Sequence, residues 1–472
     1  MANHHLSKPD HQNHTSSNKE HLDDKKTPKI VRSPNTNNFS ITTLGEPNLT
    51  SPLYEKQNFI SEKERVLVSI RSDGSKSAIN AANIHHYAFE KSGPRYKIFF
   101  NPQTIKVGII TCGGLCPGLN SIIYGLVRQL WNRYEVKNIV GIYFGYQGLS
   151  TQASKMINLS PENVRDIHFL GGTILGTSRG TPPAEEIVTN LAKHQFNILF
   201  AIGGDGTMRG AHLITEEIAK RNLKISVIGI PKTIDNDIPY VITSFGFETA
   251  VEKASDTIMA AHEEARGHRN GIGLVKVMGR YSGYLAAHAT MSTGVVSLCL
   301  IPEIPFTLTG KRGLIPYIHQ YLKQKSYMVI VVAEGAGQDL IKTPTIKYDA
   351  SGNKVLPDIG TFLKNEINAA FKGKNFPISL KYLDPSYYVR SARPNCFDRV
   401  FCSRIAQNAV HAAMAGKTAM LIGYWHGEMT HVPFKSLYQR TKRINPNGTL
   451  WFNVIESTVQ GDINTEEYPL KH

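Results

Sequence analysis

Two short strings hold the residues of this chain best suited to chemistry: GGDGT at Gly203–Thr207 and, about 25 residues further on, PKTIDND at Pro231–Asp237. The glycines Gly203, Gly204 and Gly206 let a backbone turn come close to a phosphate and point its N–H groups at it. Asp205 is the one acceptor among those donors and suits a Mg²⁺ that travels with phosphates. In the second string Asp235 and Asp237 flank Asn236, one placed to take a proton from an attacking hydroxyl and the other to help with metal. Lys232 and Thr233 add a cation and a hydroxyl to the same turn. Together the strings describe phosphoryl transfer, and neither would do so alone.

The elements that must position them can be read from apolar patterning. Phe196–Ile202 (FNILFAI) reads as a buried strand that ends at paired glycines, and the stretch from Thr207 to Arg221 carries helical periodicity with acidic residues midway and basic ones late. Ile225–Ile230 reads as the next strand, and Pro231 stops it where a parallel sheet opens its ligand edge. Further strands are expected at Ile105–Thr111, Asn138–Tyr143, Ile272–Val277, Val296–Ile301, Met328–Ala333 and Thr418–Gly423, with helices at Leu119–Tyr134, Ala250–Ala265 and Ile359–Phe371. The alternation predicts an α/β protein with two doubly wound, Rossmann-like sheets and a ligand cleft between them. Residues 1–60 are polar and read as a disordered tail, whose irregularly spaced His4, His5, His11, His14 and His21 read as solvated rather than chelating. Residues 61–101 regain alternating apolar patterning and read as a β-containing extension packed on the body.

Around the two strings stand TCGGLCPGLN (Thr111–Asn120), GIYFGYQGL (Gly141–Leu149), GGTILGTSRG (Gly171–Gly180), FGFETA (Phe245–Ala250), KVMGRYSGYLA (Lys276–Ala286), PEIPF (Pro302–Phe306) and YLDPSYYVRS (Tyr382–Ser391). In this ordered set, from about Lys106 to about Tyr424, the chain resembles the 6-phosphofructokinase family, nearest its long ATP-dependent branch of protists and plants. The resemblance implies an ATP-binding domain over 102–245 to which the chain returns at about 389–445, a fructose 6-phosphate domain over 246–388, and a C-terminal segment at 446–472. It also implies roles. Gly114, Tyr143, Arg179, Gly206, Thr207 and Gly210 would contact the nucleotide, and Asp205 would hold the metal. Asp235 would be the base toward the sugar's 1-hydroxyl, Thr233 would orient it, Asp237 would assist at the metal, and Arg280 and Arg179 would meet charge on the transferred group. Met278, Gly279, Glu334 and Arg390 would contact fructose, with Lys381 and Tyr387 standing where the bacterial enzyme has Arg and His. Gly271 occupies the position of the bacterial intersubunit arginine, so Arg266 and Arg269 are candidates for a neighbouring subunit's cation.

The phosphoryl donor rests on two positions. Pyrophosphate-dependent relatives carry Asp and Lys where this chain has Gly206 and Lys232, and bacterial ATP-dependent ones carry Gly at both. An Asp at 206 would repel the α-phosphate of ATP, whereas a lysine can pair with a phosphate oxygen. ATP is therefore expected, with a pyrophosphate-dependent enzyme and a non-catalytic sugar-phosphate-sensing subunit as alternatives. A sensor needs phosphate-binding cations but no base.

Composition agrees. The chain has 472 residues, 41% of them hydrophobic, enough for sizeable cores, and a net charge of +15 spread along the sequence rather than gathered in runs, which favours anionic substrates over nucleic acid. No apolar stretch is long enough to span a membrane. Five cysteines without paired CxxC spacing suit a reducing compartment. With no recognisable leader and a final PLKH, a cytoplasmic enzyme is expected. The resemblance further implies a glycolytic, allosterically regulated homotetramer. Tyr124 replaces a bacterial effector-binding arginine although Arg128 is kept, so the bacterial effectors are not carried over.

Overall fold

Strands that are apolar on both faces must be covered on both sides by helices, and the chain folds accordingly. The computed structural model describes residues 38–53, 58–70, 79, 82–150, 155–342, 348, 354–439, 442–458 and 460. In chain order the first part comprises β1 (Thr42–Thr43), β2 (Leu49–Thr50), β3 (Arg65–Leu67), β4 (Ala88–Lys91), β5 (Lys97–Ile98), β6 (Val107–Thr111), α1 (Leu119–Arg133), β7 (Ile139–Ile142) and β8 (Met156–Asn158). Next come α2 (Ala184–Lys193), β9 (Ile198–Gly203), α3 (Asp205–Lys220) and β10 (Ser226–Pro231). The second part comprises α4 (Phe247–Arg266), β11 (Gly271–Val277), α5 (Tyr284–Thr293), β12 (Leu298–Leu300), α6 (Leu314–Lys325), β13 (Tyr327–Ala333), α7 (Ile359–Phe371), β14 (Ser379–Leu383) and α8 (Ser386–Ser391). The chain then returns through α9 (Cys396–Met414), β15 (Lys417–Thr418), β16 (Met420–Trp425), β17 (Glu428–Pro433) and α10 (Thr449–Thr458).

Two sheets dominate. One has nine strands in the order β3-β4-β17-β16-β10-β9-β6-β7-β8, and the other four in the order β12-β13-β11-β14. The four-stranded sheet is wholly parallel, as is the β16-β10-β9-β6-β7 centre of the larger one. One continuous apolar core joins the facing sides of both sheets: Ile109, Ile202 and Ile230 of the first and Val275, Val277 and Val329 of the second pack around Ala250, Ala254 and Ile258 of α4 and Leu126 of α1. Helices α2 and α3 cover the outer face of the first sheet, and α6 and α7 that of the second. The fold is thus the expected α/β arrangement of two helix-covered sheets.

The order within the first sheet fixes where ligands go. From β6 the chain adds β7 on one side and then β9 on the other, so the strand order reverses beside β6. At such a switch point the helices leave in opposite directions and open a crevice at the strands' carboxyl ends. The ends of three strands meet there in register, Thr111 beside Ile202 and Gly203 beside Pro231.

Three expectations need correction. The tail placed over 1–60 is too long: its histidines and the rest of 1–37 lie outside the described residues, but Phe39 is buried and β1 pairs with β15 from residue 42. Phe39 packs against Phe89 and Tyr240, and Leu44 and Leu53 are buried as well, so this stretch has apolar anchors that its polar composition hid. The helix after the glycine turn begins at Asp205, not at Thr207, so Asp205 and Gly206 form its first turn. The expected strand Thr418–Gly423 is split, because Ala419 adopts a left-handed conformation (φ 58°) between β15 and β16. The extension over 61–101 contributes β3 and β4 to the antiparallel edge of the nine-stranded sheet, where Glu90 accepts hydrogen bonds from Arg95 and His431 and pairs with Lys417.

Candidate active site

The turn after β10 is built to present two carboxylates. Asn236 takes a left-handed conformation (φ 52°), which Asn tolerates better than most residues. Its side chain closes the loop on itself, donating to the Ile242 carbonyl (2.9 Å) and accepting from the Ser244 amide (3.1 Å). Ser244 Oγ in turn donates to the Thr233 carbonyl (2.6 Å). Asp235 and Asp237 emerge on either side of this belt. Thr233 Oγ1 donates to Asp237 Oδ1 (2.8 Å) and accepts from the Asp235 amide (3.2 Å), so the threonine orients both.

The second sheet supplies the opposite wall. β11 and β13 are parallel neighbours with Val277 beside Ala333, so Met278, Gly279 and Arg280 leave one strand tip where Glu334 leaves the next. The tips press together: a Cβ on Gly335 would stand 1.9 Å from the Arg280 carbonyl oxygen, and Gly279 has φ 130°. Only glycine fits either place. The Arg280 amide donates to Asp235 Oδ2 (3.2 Å), and Ser282 Oγ donates to the Asp235 carbonyl (3.0 Å), which ties the two walls together at the carboxylate. Arg280 Nε lies 3.9 Å from Glu334 Oε1.

Asp235 Oδ1 and one terminal nitrogen of Arg280 are buried without a hydrogen-bond partner. Buried polar atoms are rarely left so, and an unpaired acceptor on one wall with an unpaired donor on the other suits a polar ligand. Burial, with Asp237 and Glu334 adding like charge, pushes the Asp235 carboxyl up to about 7, against the Arg280 amide and Arg390. A carboxyl placed there is poised between acid and base near neutral pH.

At the strand tips of the first sheet Lys232 is 6% exposed, and its amino group donates to the Gly114 carbonyl at 2.7 Å. It thereby links the second string to the TCGGLCPG turn. Burial lowers its affinity for the proton, opposed by Cys116, Cys112 and Asp235. A Cβ at Gly114 or Gly206 would meet nothing within 4 Å, so both glycines border open space. Gly204 is closer, with the Lys232 carbonyl oxygen 3.3 Å from where its Cβ would be. Thr207 is buried, and its carbonyl accepts from Tyr146 Oη (2.8 Å). The absent side chain of Gly210 admits Tyr146 and Thr181, which makes it a packing glycine rather than one open to a ligand. Asp205, half exposed, pairs with Arg209 at 3.0 Å. Its carboxyl is raised by burial, opposed by Arg209 and reinforced by Asp237, so the two carboxylates feel one another across the turn. Two carboxylates beside an open glycine turn suit Mg²⁺, which takes one or two protein oxygens and fills its shell with water and phosphate. Tyr143 is partly buried beneath Lys155, and Arg179 is exposed near Gln147, which donates to its carbonyl.

Not every expected residue is brought in. Arg390 is near enough to act electrostatically on Asp235 and Lys232. Lys381 sits beside Gly273, four positions short of Val277, or about 13 Å at strand rise. Its amino group pairs with Glu264 at 3.5 Å on the end of α4, where Arg266 and Arg269 are also exposed. Tyr387 is 83% exposed. Within one chain, therefore, Lys381 is engaged with the end of α4 and Tyr387 faces solvent. The sequence reading missed Glu303 of PEIPF, whose Oε1 accepts from the amides of Gly283 and Ile444, and Lys442, which packs behind the carboxylate turn. Among the described residues no cluster of three His, Cys, Asp or Glu forms a metal site, and no helix is long and apolar enough to cross a membrane.

Comparison with known proteins gives concordant results. Residues 106–413 match the family model described as phosphofructokinase. The "ATP-dependent 6-phosphofructokinase" of Borreliella burgdorferi is 47% identical over 435 residues, covering 89% of this chain and 96% of that protein. "ATP-dependent 6-phosphofructokinase 7" of Arabidopsis thaliana is 44% identical, covering 89% and 86%. Among solved structures, the pyrophosphate-dependent phosphofructokinase of Marinobacter aquaeolei superposes with a TM-score of 0.62 at 18% identity, over 76% of this chain and 92% of that one. Pichia pastoris phosphofructokinase in the T-state gives 0.61 at 22%, over 77% and 38%. At these identities the structures speak for the fold alone.

Proposed function

Because the chain belongs to the phosphofructokinase family, we propose that its cleft performs the reaction for which its relatives are named: an ATP-dependent 6-phosphofructokinase that transfers the γ-phosphoryl group of ATP to the 1-hydroxyl of fructose 6-phosphate, giving fructose 1,6-bisphosphate and ADP. The observation that carries this reading is the meeting of Asp235 and Arg280 between the two sheets: the Arg280 amide donates to Asp235 Oδ2, while Asp235 Oδ1 and one terminal nitrogen of Arg280 are buried without a hydrogen-bond partner. An acceptor for the hydroxyl proton and a cation for the charge on the moving phosphoryl group are what the reaction requires.

In this reading Asp235 Oδ1 takes the proton as the sugar oxygen attacks phosphorus. Thr233 holds the turn and Arg280, with Arg179 from the rim, offsets the charge spread over the phosphoryl oxygens. Because that transition state is loose, fixed charges and placement supply most of the acceleration. The first sheet holds the nucleotide, with Gly114, Gly204, Gly206 and Thr207 along its tail and Tyr143 near the base. The second sheet holds the sugar against Met278, Gly279, Glu334 and Arg390. Asp205, helped by Asp237, would hold Mg²⁺, which screens the negative charge of the phosphates when bound. The exposed Lys381, Arg266, Arg269 and Tyr387 fit a homotetramer in which one subunit completes its neighbour's 6-phosphate pocket, in the cytoplasm.

ATP is favoured as donor because Gly206 leaves the helix start open, while Lys232 is held back by the Gly114 carbonyl rather than projecting into that space. Assaying the purified protein with fructose 6-phosphate and either ATP or pyrophosphate tests the proposal. Turnover with ATP and a rate at least 100-fold lower with pyrophosphate is expected. The reverse preference overturns the donor assignment, and no turnover with either leaves the sugar-phosphate sensor.

A further inference from the structure

The turn that carries the carboxylates belongs to the first sheet, yet it must hold Asp235 against the second. Asn236 closes the turn from within, through Ile242. A second support comes from beyond residue 413, where the family match ends. Lys442 donates to the Val241 carbonyl at 2.7 Å and to the Ile242 carbonyl at 2.9 Å. The Ile242 oxygen thus receives Asn236 from one side and Lys442 from the other, while the Ile242 amide is pinned to the Tyr424 carbonyl of β16 (3.0 Å).

The lysine is itself held by the second half of the molecule. Its amino group lies 4.9 Å from the ring centroid of Tyr284 at the start of α5. Tyr284 Oη donates to the Arg443 carbonyl (3.0 Å), and the Ile444 amide donates to Glu303 Oε1 (2.9 Å). The same Glu303 oxygen accepts from Gly283, three residues after Arg280 (3.0 Å). Three consecutive residues, 442 to 444, therefore tie the carboxylate turn to the elements that place Arg280.

Holding a lysine half-buried against backbone carbonyls carries a desolvation cost, and a purely packing role would be served as well by an apolar side chain. We propose that Lys442 is a positioning residue for the phosphoryl transfer: by bridging the Val241 and Ile242 carbonyls from a segment anchored on the second half of the molecule, it fixes the distance between Asp235 and Arg280. Its amino group makes no bond to Asp237, whose charge it only senses, so the role is geometric and not proton transfer.

The inference rests on the function proposed above, and one assay separates the two. Lys442→Met and Lys442→Gln are compared with the parent in ATP and fructose 6-phosphate kinetics and in thermal unfolding. A displaced catalytic group costs rate rather than affinity, so Lys442→Met should lower kcat roughly 10- to 100-fold with both KM values within about threefold. Lys442→Gln keeps a donor for the carbonyls without the charge and should recover most of that loss. An unchanged kcat in Lys442→Met, a change confined to KM, or equal losses in both variants would overturn the positioning role. An inactive parent would instead sink the functional reading itself.

Discussion

The carboxylate turn and the nucleotide rim use the same residue types to opposite effect. In the carboxylate turn Thr233, Asn236 and Ser244 bond within the protein, and the left-handed Asn236 is braced on both sides. At the rim, Gly114 and Gly206 face open space, Asp205 is bonded to its own helix neighbour Arg209, and Arg179 is exposed. The proposed proton acceptor is thus placed before any ligand arrives, whereas the proposed phosphate site is open to receive one. A base must meet one hydroxyl at one angle; a charged tail can be gathered by flexible cations and a metal.

That difference can be broken from either side. The largest effect should come from Asp235→Asn, which keeps the shape of the turn and removes the proton acceptor: kcat should fall about 10³-fold with little change in ATP affinity by titration calorimetry. Arg280→Ala should follow, lowering kcat about 10²-fold and also raising the KM for fructose 6-phosphate, since the guanidinium serves both charge and sugar. On the open side, Gly206→Asp should act in the other column, raising the KM for ATP roughly tenfold or more while the protein stays folded, because its new side chain meets only space and phosphate charge. A collapse of stability in that variant would show that the rim is as tightly built as the turn.

The smallest effect concerns stability. The Asp235 carboxyl binds its proton more tightly folded than unfolded, so the ionised group destabilises the folded state. The penalty is absent below the ordinary aspartate range, grows as pH rises through it, and is complete above about 7. Asp235→Asn should therefore raise Tm by a few degrees at about pH 8, with the gain shrinking toward zero near pH 4, in scanning calorimetry. A variant less stable than the parent at alkaline pH would remove burial as the cause.

Much of this architecture could be read from the chain. Buried strands ending at Gly203 and Pro231 carry an unmistakable apolar signal, and glycine, proline and Asx residues mark the turns at their ends. The features that could not be read are of two kinds. Tyr387 lies in a recognisable string and Lys381 just before it, but a string does not reveal that the lysine sits mid-strand beside Gly273 and pairs with Glu264, nor that the tyrosine faces solvent. Lys442 carries no local pattern at all, and Glu303 stands in the string PEIPF without any sign of its partners. Their roles arise from hydrogen bonds to backbone carbonyls and amides far away in sequence, which leave no trace in spacing. Phe39 shows the same limit, one aromatic in a polar stretch whose burial depends on partners at Phe89 and Tyr240.

The central claim is that a buried carboxylate, built in place between the two sheets, must lose its proton before the sugar can attack. The pH dependence of kcat/KM for fructose 6-phosphate at saturating ATP and magnesium tests it most directly, because that ratio reports ionisation in the enzyme before the sugar binds. The account predicts a rising limb with an apparent midpoint near 7, as burial of Asp235 dictates. A profile already flat from about pH 5 upward would contradict it, since the essential base would then titrate in the ordinary aspartate range and not as a carboxyl raised by burial.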